Sequence, residues 1–262
     1  MTPLILASTT SHKREALPVT LEAFARLGLR DLDLNLHHLL ERGEAVETVA
    51  GLTARHGQRI WVVSGGWCDF FHGSPEIEDT FLSVDRQVHI ANHLDAPMIR
   101  LFFGRLPAVA FDSAHASTVV ANLKRLSDRH PNSTFVFENH DGASLVPQIC
   151  RDVLAAVDRP NIRMNFDPIN FARAGVDPMQ ALDSVEPFVA HLHLKGLDGG
   201  DYCEFGMGDV DLTPILRRLF QNGYRGDFTV EYEGPFDGTL RLYESVQRAR
   251  TIVAALDRSS HG

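Results

Sequence analysis

The sequence predicts an α/β protein that folds as a single (β/α)8 barrel, the TIM barrel, over residues 1–262. Two observations support this fold class. The chain has 262 residues, close to the roughly 250 that one such barrel takes. A helical pattern, a turn signal and a short β-rich run also recur in that order along the chain. Strict alternation implies parallel strands with right-handed crossovers, and eight such units close a barrel.

The eight predicted strands follow one another at regular intervals. In chain order they lie in PLILAST, LRDLDLNL, QRIWVVSG, MIRLFFG, STFVFENH, IRMNFDP, FVAHLHLK and DFTVEYEG. Gly28, Gly57 and Gly223 stand where a helix C-terminus favours a left-handed residue, and Pro178 and Pro214 stand where a first helical turn favours proline. An open doubly wound sheet is the alternative, but LASTTSHK, at the end of the first strand, is not the glycine-rich phosphate loop typical of that fold.

Composition and charge predict a soluble, cytoplasmic protein. The chain is 44% hydrophobic and 23% charged, which is ordinary for a globular protein. No segment is apolar over enough residues to span a membrane, and the apolar run near the start is too short for a signal peptide. The formal net charge of −9 argues against a nucleic-acid partner. Cys68, Cys150 and Cys203 lack a Cys-x-x-Cys spacing and indicate reduced thiols.

The last four predicted strands alternate apolar residues with polar ones. Outward residues of a parallel barrel meet helices, so the polar set should face the lumen and the C-terminal rim, where barrel enzymes build their sites. On strand five this face carries Glu138 and His140 together with the apolar Val136. On the next three strands it carries Arg163, Asn165 and Asp167, then His191, His193 and Lys195, then Thr229, Glu231 and Glu233.

Carboxylates that crowd together need a cation to stay ionised. One carboxylate or imidazole from each strand gives a candidate metal quartet: Glu138, Asp167, His193 and Glu231. Oxygen and nitrogen ligands without thiolate favour a divalent ion, with Mn²⁺ first, Mg²⁺ and Co²⁺ close behind, and Zn²⁺ as an alternative. The competing interpretation is a set of internal salt bridges in which Lys195 or Arg163 neutralises a glutamate. Glu233 is a rival to Glu231, because alternation alone does not separate them.

These strand ends resemble one known group of barrels. ENH on strand five, NFDP followed by IN on strand six, HLHLK on strand seven, and GMGDVDLTPILRRLFQNGYRGDFTVEYEG at the end are similar to motifs of the xylose-isomerase-like superfamily of sugar isomerases and epimerases. That superfamily includes tagatose and psicose 3-epimerases, hydroxypyruvate isomerase, inosose dehydratase and the AP endonuclease family 2 enzyme endonuclease IV. The resemblance covers residues 135–235 well and the first half of the chain only in its repeat pattern.

The resemblance implies the same quartet as metal ligands, with Glu138 and Glu231 also serving as the proton-transfer pair. Motif position favours Glu231 over Glu233. The second histidine of the family pattern, three residues after Asp167, is replaced by Asn170. Asn170 either holds a substrate hydroxyl or marks a reaction that differs from that of the ketose epimerases.

The function implied is a divalent-metal isomerase or epimerase of carbohydrate metabolism. It would act on a small sugar, keto-sugar or sugar acid through a metal-stabilised enediolate. The alternative is a metal-dependent lyase that dehydrates a keto-cyclitol or related molecule, with Lys195 or His140 as the acid that expels the hydroxyl. An endonuclease IV-like repair enzyme is disfavoured by the charge and by Asn170, and a catalytically silent binding protein by the intact quartet.

Several further residues are predicted to bind the substrate. Lys195 and His140 lie on the polar face, where Lys195 could grip a carboxylate or phosphate, or instead bridge to Glu233. The loop SGGWCDFFHG brings Trp67, Phe70 and His72 to the end of the third strand as a wall or lid, with plain helix packing as the alternative. The sequence leaves the oligomeric state open, and a homo-oligomer formed through outer helices is one alternative.

Overall fold

The computed structural model describes residues 3–66, 68–235 and 238–259. Eight parallel strands form a closed barrel in the order β1-β10-β7-β6-β5-β4-β3-β2, and a separate two-stranded sheet pairs β8 with β9. The strands are β1 (Ile5–Ser8), β2 (Asp31–Asn35), β3 (Arg59–Ser64), β4 (Met98–Phe102), β5 (Thr134–Glu138), β6 (Ile162–Phe166), β7 (Val189–Leu194), β8 (Gly196–Asp198), β9 (Asp201–Cys203) and β10 (Phe228–Val230). The predicted barrel is confirmed.

Helices separate the barrel strands along the chain. They are α1 (Leu17–Arg26), α2 (His37–Leu40), α3 (Val46–His56), α4 (Ile77–His93), α5 (Ser113–Arg129), α6 (Pro147–Val157), α7 (Pro168–Arg173), α8 (Pro178–Val185), α9 (Thr213–Gln221) and α10 (Gly238–Ser259). Gly57 ends α3 in a left-handed conformation, with φ of 61°. Pro178 and Pro214 occupy the first turns of α8 and α9. Among the residues described, no helix combines the length and apolarity that crossing a bilayer requires.

The chain contains two compact units, of which the first comprises residues 1–61 and 191–262. In it β1 pairs with both β10 and β2, and β10 pairs with β7. Leu6 lies beside Thr229, and Thr229 beside His193. The apolar side chains of these strands are buried, as in Leu192 and Val230, both 0% exposed. This register brings polar residues of neighbouring strands into contact with one another.

The second unit comprises residues 62–190. In it β3 pairs with β4, β4 with β5, and β5 with β6. An aromatic cluster holds the outer face of β5: Phe137 packs against Phe70 and Phe103, with ring centroids 5.5 and 4.9 Å apart. Burying such rings is a large part of what stabilises this face. The polar residues of β5 and β6 alternate with these apolar residues and lie on the opposite face of the sheet.

The antiparallel pair β8–β9 was not predicted. Residues 196–203 read as a loop because GLDGGDYC lacks an alternating apolar pattern. Gly199 and Gly200 connect the two strands with φ of 56° and 93°, values that other residues rarely adopt. The hairpin places Tyr202 over the ammonium group of Lys195, 4.8 Å from the ring centroid. It thus covers a side chain of the candidate site.

Candidate active site

Buried polar side chains gather within strands and at the C-terminal ends of strands in both units. In the second unit they surround Glu138 and Asp167, and we call them the carboxylate group: Arg100, Glu138, Asn139, Asp167 and Asn170. In the first unit they surround His193 and Glu231, and we call them the histidine group: Asp33, His191, His193, Lys195, Thr229, Glu231 and Glu233. All but Glu233 are less than 9% exposed. Burial of this many polar groups is sustained only where they satisfy one another or a ligand.

Glu138 is the last residue of β5 and is 2% exposed. One carboxylate oxygen, Oε1, accepts a hydrogen bond from Nδ2 of Asn170 at 2.9 Å. The other, Oε2, lies 3.2 Å from Nε of Arg100, whose side chain is also buried. The guanidinium in turn rests over the ring of Phe102, 4.3 Å from its centroid. A buried carboxylate with a cation on one oxygen and an amide donor on the other is held in one orientation.

Asp167 directly follows β6 and is fully buried. Its Oδ1 accepts hydrogen bonds from the backbone N–H groups of Ile169 and Asn170, at 2.9 and 3.0 Å, so Asp167 caps α7. The side chain of Asn139 donates to the carbonyl of Asp167 at 2.8 Å and accepts from its N–H at 2.9 Å. This reciprocal pair fixes the end of β6 against the end of β5. The carboxylate is therefore pre-positioned by the backbone.

Asn170 stands where the family pattern has a histidine, and its side chain is buried within the carboxylate group. Besides Glu138, its Nδ2 donates to the carbonyl of Asn139 at 3.0 Å. The residue thus orients Glu138 in this structure. Its predicted contact with a substrate hydroxyl stays a prediction.

His193 lies on β7 and is 0% exposed. Its Nδ1 is 3.4 Å from Oε2 of Glu231, and its Nε2 is 3.7 Å from Oδ2 of Asp33. The imidazole thus lies between two carboxylates, at distances longer than a hydrogen bond. It is suited to bind a metal ion or to hold a proton between the two acids.

Glu231 and Glu233 differ in depth, although the alternation of the final strand places both on one face. The Glu231 side chain is 5% exposed and the Glu233 side chain 26%. β10 ends at Val230, although the N–H of Glu231 still donates to the carbonyl of Leu194 at 3.0 Å. Glu231 therefore keeps the position of a strand residue, while Glu233 lies at the rim.

Lys195 joins the two glutamates. Its Nζ lies 3.4 Å from Oε2 of Glu231 and 3.0 Å from Oε1 of Glu233, and the side chain is 1% exposed. The predicted bridge from Lys195 to Glu233 is therefore present. Contact between Lys195 and a substrate remains a prediction.

Asp33 and Arg100 are site residues that sequence reasoning missed. Asp33, on β2, accepts a hydrogen bond from Oγ1 of Thr229 at 3.0 Å, and Nε2 of His191 lies 2.8 Å from that hydroxyl. Ligand atoms of Asp33, His191 and His193 lie within 4.8 Å of one another, close enough to hold a metal ion. For Asp33 the sequence carries a signal, because LRDLDLNL alternates apolar with polar residues. For Arg100 it carries none, because Met98 and Phe102 share its face of the strand.

Phe70 and His72, which were predicted together with Trp67 to form a wall of the substrate site, lie in different environments. Phe70 is 0% exposed, and its ring meets Phe81 and Phe137 edge-on, with centroids 6.3 and 5.5 Å away. Its position favours the packing alternative over a substrate surface. The His72 side chain is 60% exposed and lies 3.5 Å from Asp69. Trp67 lies outside the described residues.

His140 lies beyond the end of β5. Its Nδ1 is 3.0 Å from Oδ2 of Asp141, the side chain is 41% exposed, and the ring packs on Phe102 with centroids 4.7 Å apart. His140 is thus a solvent-facing neighbour of the carboxylate group. Its predicted substrate contact stays a prediction.

The cysteines take no part in the candidate chemistry. Cys68, Cys150 and Cys203 are free thiols. Burial raises the pKa of Cys68 and of Cys150 to about 12. At neutral pH both are therefore neutral thiols, which are poor nucleophiles and poor metal ligands.

A cavity of about 900 Å³ opens in the first unit, and we call it the rim cavity. Its lining comes from the segments that follow β1 and β10: Thr10, Ser11, His12, Lys13, Arg14, Glu15, Tyr232, Glu233, Gly234, Pro235, Gly238 and Thr239. Cavities of several hundred cubic ångströms are typical of small-molecule sites. Glu233 belongs both to this lining and to the histidine group.

Residues 21–254 match the family described as xylose isomerase-like TIM barrel. A curated relative, the 3-dehydroshikimate dehydratase of Bacillus anthracis, is 23% identical over 133 residues, which make up 49% of this chain and 47% of the relative. The match thus spans about half the length of that enzyme.

Solved structures share the fold at low identity. A D-tagatose 3-epimerase-like protein superposes with a TM-score of 0.81 at 15% identity, over 99% of both chains. The IOLI protein with a bound zinc atom gives 0.78 at 16%, over 98% of this chain and 99% of its own. A xylose isomerase-like TIM barrel protein from Mycobacterium smegmatis in complex with magnesium gives 0.78 at 17%, over 98% of each. Zinc and magnesium are therefore both found in proteins of this fold.

Proposed function

The chain belongs to the xylose isomerase-like TIM barrel family, and on that premise we propose that it is a divalent-metal-dependent isomerase or epimerase of a small sugar, keto-sugar or sugar acid. The observation that carries the proposal is the buried Glu231, set between His193 and Lys195 at distances of 3.4 Å each. A carboxylate in such a position can exchange a proton with a substrate and be restored by its neighbours.

Four residues would hold the ion: Glu138, Asp167, His193 and Glu231. Two observations support this set. The strands that carry or precede them are successive neighbours in the barrel, in the order β5, β6, β7 and β10, and each residue lies at or within two positions of the end of its strand. The donors are three carboxylates and one imidazole without thiolate, which suits Mn²⁺ best, with Mg²⁺, Co²⁺ and Zn²⁺ as alternatives.

The ion, when bound, would polarise a carbonyl and offset the negative charge that develops as the neighbouring C–H loses its proton. The protein's own residues supply the proton transfers. Glu138, oriented by Arg100 and Asn170, is one base, and Glu231, oriented by His193 and Lys195, is the other. One of the two, in its ionised form, would remove a proton beside the carbonyl, and the other, in its protonated form, would return a proton to the opposite face of the same carbon (epimerisation) or to the neighbouring carbon (isomerisation).

A dehydratase is the second candidate, because an ammonium group lies beside the proposed base. Lys195 Nζ is 3.4 Å from Glu231 Oε2. After Glu231 removes a C–H proton, Lys195 could protonate a β-hydroxyl as it leaves, which completes loss of water. The dehydratase named among the relatives gives this chemistry a precedent in the family.

The test is turnover by metal-loaded protein in deuterated water. Protein reconstituted with Mn²⁺ is incubated with ketoses, aldonates, inososes and 3-dehydroshikimate, and products are followed by NMR and mass spectrometry. An isomerase or epimerase incorporates deuterium at carbon and keeps the number of heavy atoms, whereas a dehydratase loses 18 mass units as water. Protein that binds the ion yet neither exchanges a carbon-bound proton nor releases water would contradict both candidates.

A further inference from the structure

Asp33, on β2, is a buried carboxylate to which the proposed proton transfers give no role. It is 0% exposed, and so are His191, His193 and Thr229, three polar residues close to it. These residues all belong to the first unit. A carboxylate is costly to bury unless the groups around it make use of its charge. The contacts of Asp33 therefore indicate what the residue does.

The hydrogen bonds that lead to Asp33 have a defined direction. The hydroxyl of Thr229 donates to Oδ2 of Asp33 at 3.0 Å. A threonine hydroxyl has one hydrogen to donate, so the same Oγ1 must accept from Nε2 of His191, which lies 2.8 Å away. Nε2 of His191 therefore carries a hydrogen. Asp33 is the acceptor in which this chain of donors ends.

The same carboxylate oxygen faces the ring of His193. Nε2 of His193 lies 3.7 Å from Oδ2 of Asp33. This distance is longer than a hydrogen bond, but the attraction between a ring N–H and a carboxylate persists over it where water is excluded. The carboxylate thus favours the form of the ring that carries its hydrogen on Nε2. In that form Nδ1 presents its lone pair.

Nδ1 of His193 lies on the side of the proposed metal ligand Glu231, 3.4 Å from its Oε2. Two donors that each bind one ion at about 2.0–2.2 Å can be this far apart. A lone pair and a carboxylate oxygen are both acceptors, so a cation that contacts both is favourable. Metal-binding histidines generally direct their other ring N–H to a carboxylate, a carbonyl or a water. Asp33 lies where that partner would be.

We propose that Asp33 is a positioning residue of the metal centre. It holds His193 with a hydrogen on Nε2, so that Nδ1 binds the ion, and Thr229 holds Asp33 in turn. The inference rests on the proposed function, because the ion belongs to that proposal. In this role Asp33 touches neither the ion nor the substrate.

The competing interpretation makes Asp33 a metal ligand itself. Asp33, His191 and His193 are close enough to hold an ion. However, the hydroxyl of Thr229 is hydrogen-bonded to Oδ2 of Asp33 and lies 2.8 Å from Nε2 of His191. An ion bound through those two atoms would have to displace that hydroxyl. The geometry therefore favours a supporting role, and the two interpretations differ in which nitrogen of His193 binds the ion.

Two measurements test the proposal, and neither depends on turnover. Competition with a chelator gives the affinity for Mn²⁺ and Zn²⁺. Nuclear magnetic resonance of Zn²⁺-loaded protein with ¹⁵N-labelled histidine shows which ring nitrogen binds the ion and which carries a hydrogen. The signals that are missing from His193→Gln identify His193.

The variants are Asp33→Asn, which keeps the size of the side chain and removes its charge, and Thr229→Val, which removes the hydroxyl. Asp31→Asn is the matched control. It removes a carboxylate from the same strand, one pleat away, where Asp31 accepts a hydrogen bond from Nε1 of Trp61 at 2.8 Å. Circular dichroism shows whether each variant is folded.

In the wild type we expect Zn²⁺ on Nδ1 of His193 and a hydrogen on Nε2. Asp33→Asn should lower metal affinity by about 10–100-fold, as loss of a residue that orients a ligand does, and should shift the Nε2 signals. Thr229→Val should lower the affinity by about threefold, since it removes one hydrogen bond that acts through Asp33. Asp31→Asn should bind as the wild type does.

Zn²⁺ on Nε2 of His193 overturns the inference, and so does wild-type affinity in a folded Asp33→Asn. An equal loss in Asp31→Asn overturns it as well, because the effect would then not belong to Asp33. If Asp33→Asn does not fold, unchanged affinity and unchanged nitrogen signals in Thr229→Val overturn it. All these results leave the proposed metal centre standing, whereas a wild type that holds no ion overturns the centre and the inference together.

Discussion

The two glutamates proposed to transfer protons are held in different ways. Glu138 is fixed by a buried guanidinium at 3.2 Å and an amide at 2.9 Å. Glu231 instead shares one ammonium group with the rim residue Glu233 and contacts an imidazole. Guanidinium stays protonated at any ordinary pH, whereas lysine and histidine can give up a proton. Glu138 is thus held in one orientation by a permanent cation, while Glu231 has neighbours that can themselves exchange protons with it.

The largest expected effect comes from Glu231→Gln. The amide keeps the shape of the side chain but removes a base and an ionic ligand. Turnover should fall by about 10²–10⁴-fold or more, together with weaker metal binding. Steady-state kinetics with a compound that the test in deuterated water shows to turn over measures the first quantity, and titration with Mn²⁺ measures the second.

Glu233→Gln is the matched control for Glu231→Gln, because it changes the same functional group one pleat nearer the rim. We expect a loss of about tenfold or less, through poorer positioning of Lys195. A larger loss in Glu233→Gln than in Glu231→Gln would place the essential carboxylate at the rim. It would contradict the assignment of proton transfer to the more deeply buried glutamate.

Arg100→Met tests the rigid side of the comparison. It removes the cation beside Glu138 and leaves a buried carboxylate without its partner, which typically costs about 3–5 kcal/mol of stability. Chemical denaturation of the metal-free protein measures the free energy of unfolding. Addition of Mn²⁺ should restore part of the loss, since an ion would supply the missing charge. A variant as stable as the wild type without metal would show that Glu138 does not depend on Arg100.

A smaller effect is expected from Asn170→Ala, which removes the amide that donates to Glu138 Oε1. Loss of such a supporting contact typically lowers metal affinity by about 10–100-fold. Asn170→His offers a useful partner variant because it restores the residue of the family pattern. Competition titration with a chelator compares the two. Equal affinity in wild type and Asn170→Ala would show that Asn170 does not orient a ligand.

Alternation along the final four strands located most of the candidate site, because a barrel strand sends successive residues to opposite faces. Alternation puts Glu231 and Glu233 on the same face, and their difference in depth follows from where β10 ends, at Val230. Arg100 was not predicted because Met98 and Phe102, which share its face of β4, are apolar, and Asp33 because the family resemblance does not extend in detail to β2. The role of Asp33 also depends on which residues the barrel brings beside it. Its carboxylate accepts a hydrogen bond from Thr229 on β10, which is 196 positions further along the chain. The pattern of one strand does not contain that pairing.

Phe70 shows a different limit of sequence reasoning. An aromatic residue in a loop after a barrel strand can equally line a site or fill the space under a helix. Phe70 is buried against Phe81 of α4 and Phe137 of β5. Which outcome holds is decided by the path of the loop over residues 65–73, and local residue types do not determine that path.

The most direct test of the central claim is the metal content of the protein and its ligand variants. Wild type, Glu138→Ala, Asp167→Ala, His193→Ala, Glu231→Ala and the control Glu233→Ala are loaded with Mn²⁺, desalted and measured by inductively coupled plasma mass spectrometry. Circular dichroism confirms that each variant is folded. We predict about one ion per chain in the wild type and in Glu233→Ala, and strongly reduced retention in the other four. One retained ion per chain in all four of those variants would contradict the proposed metal centre.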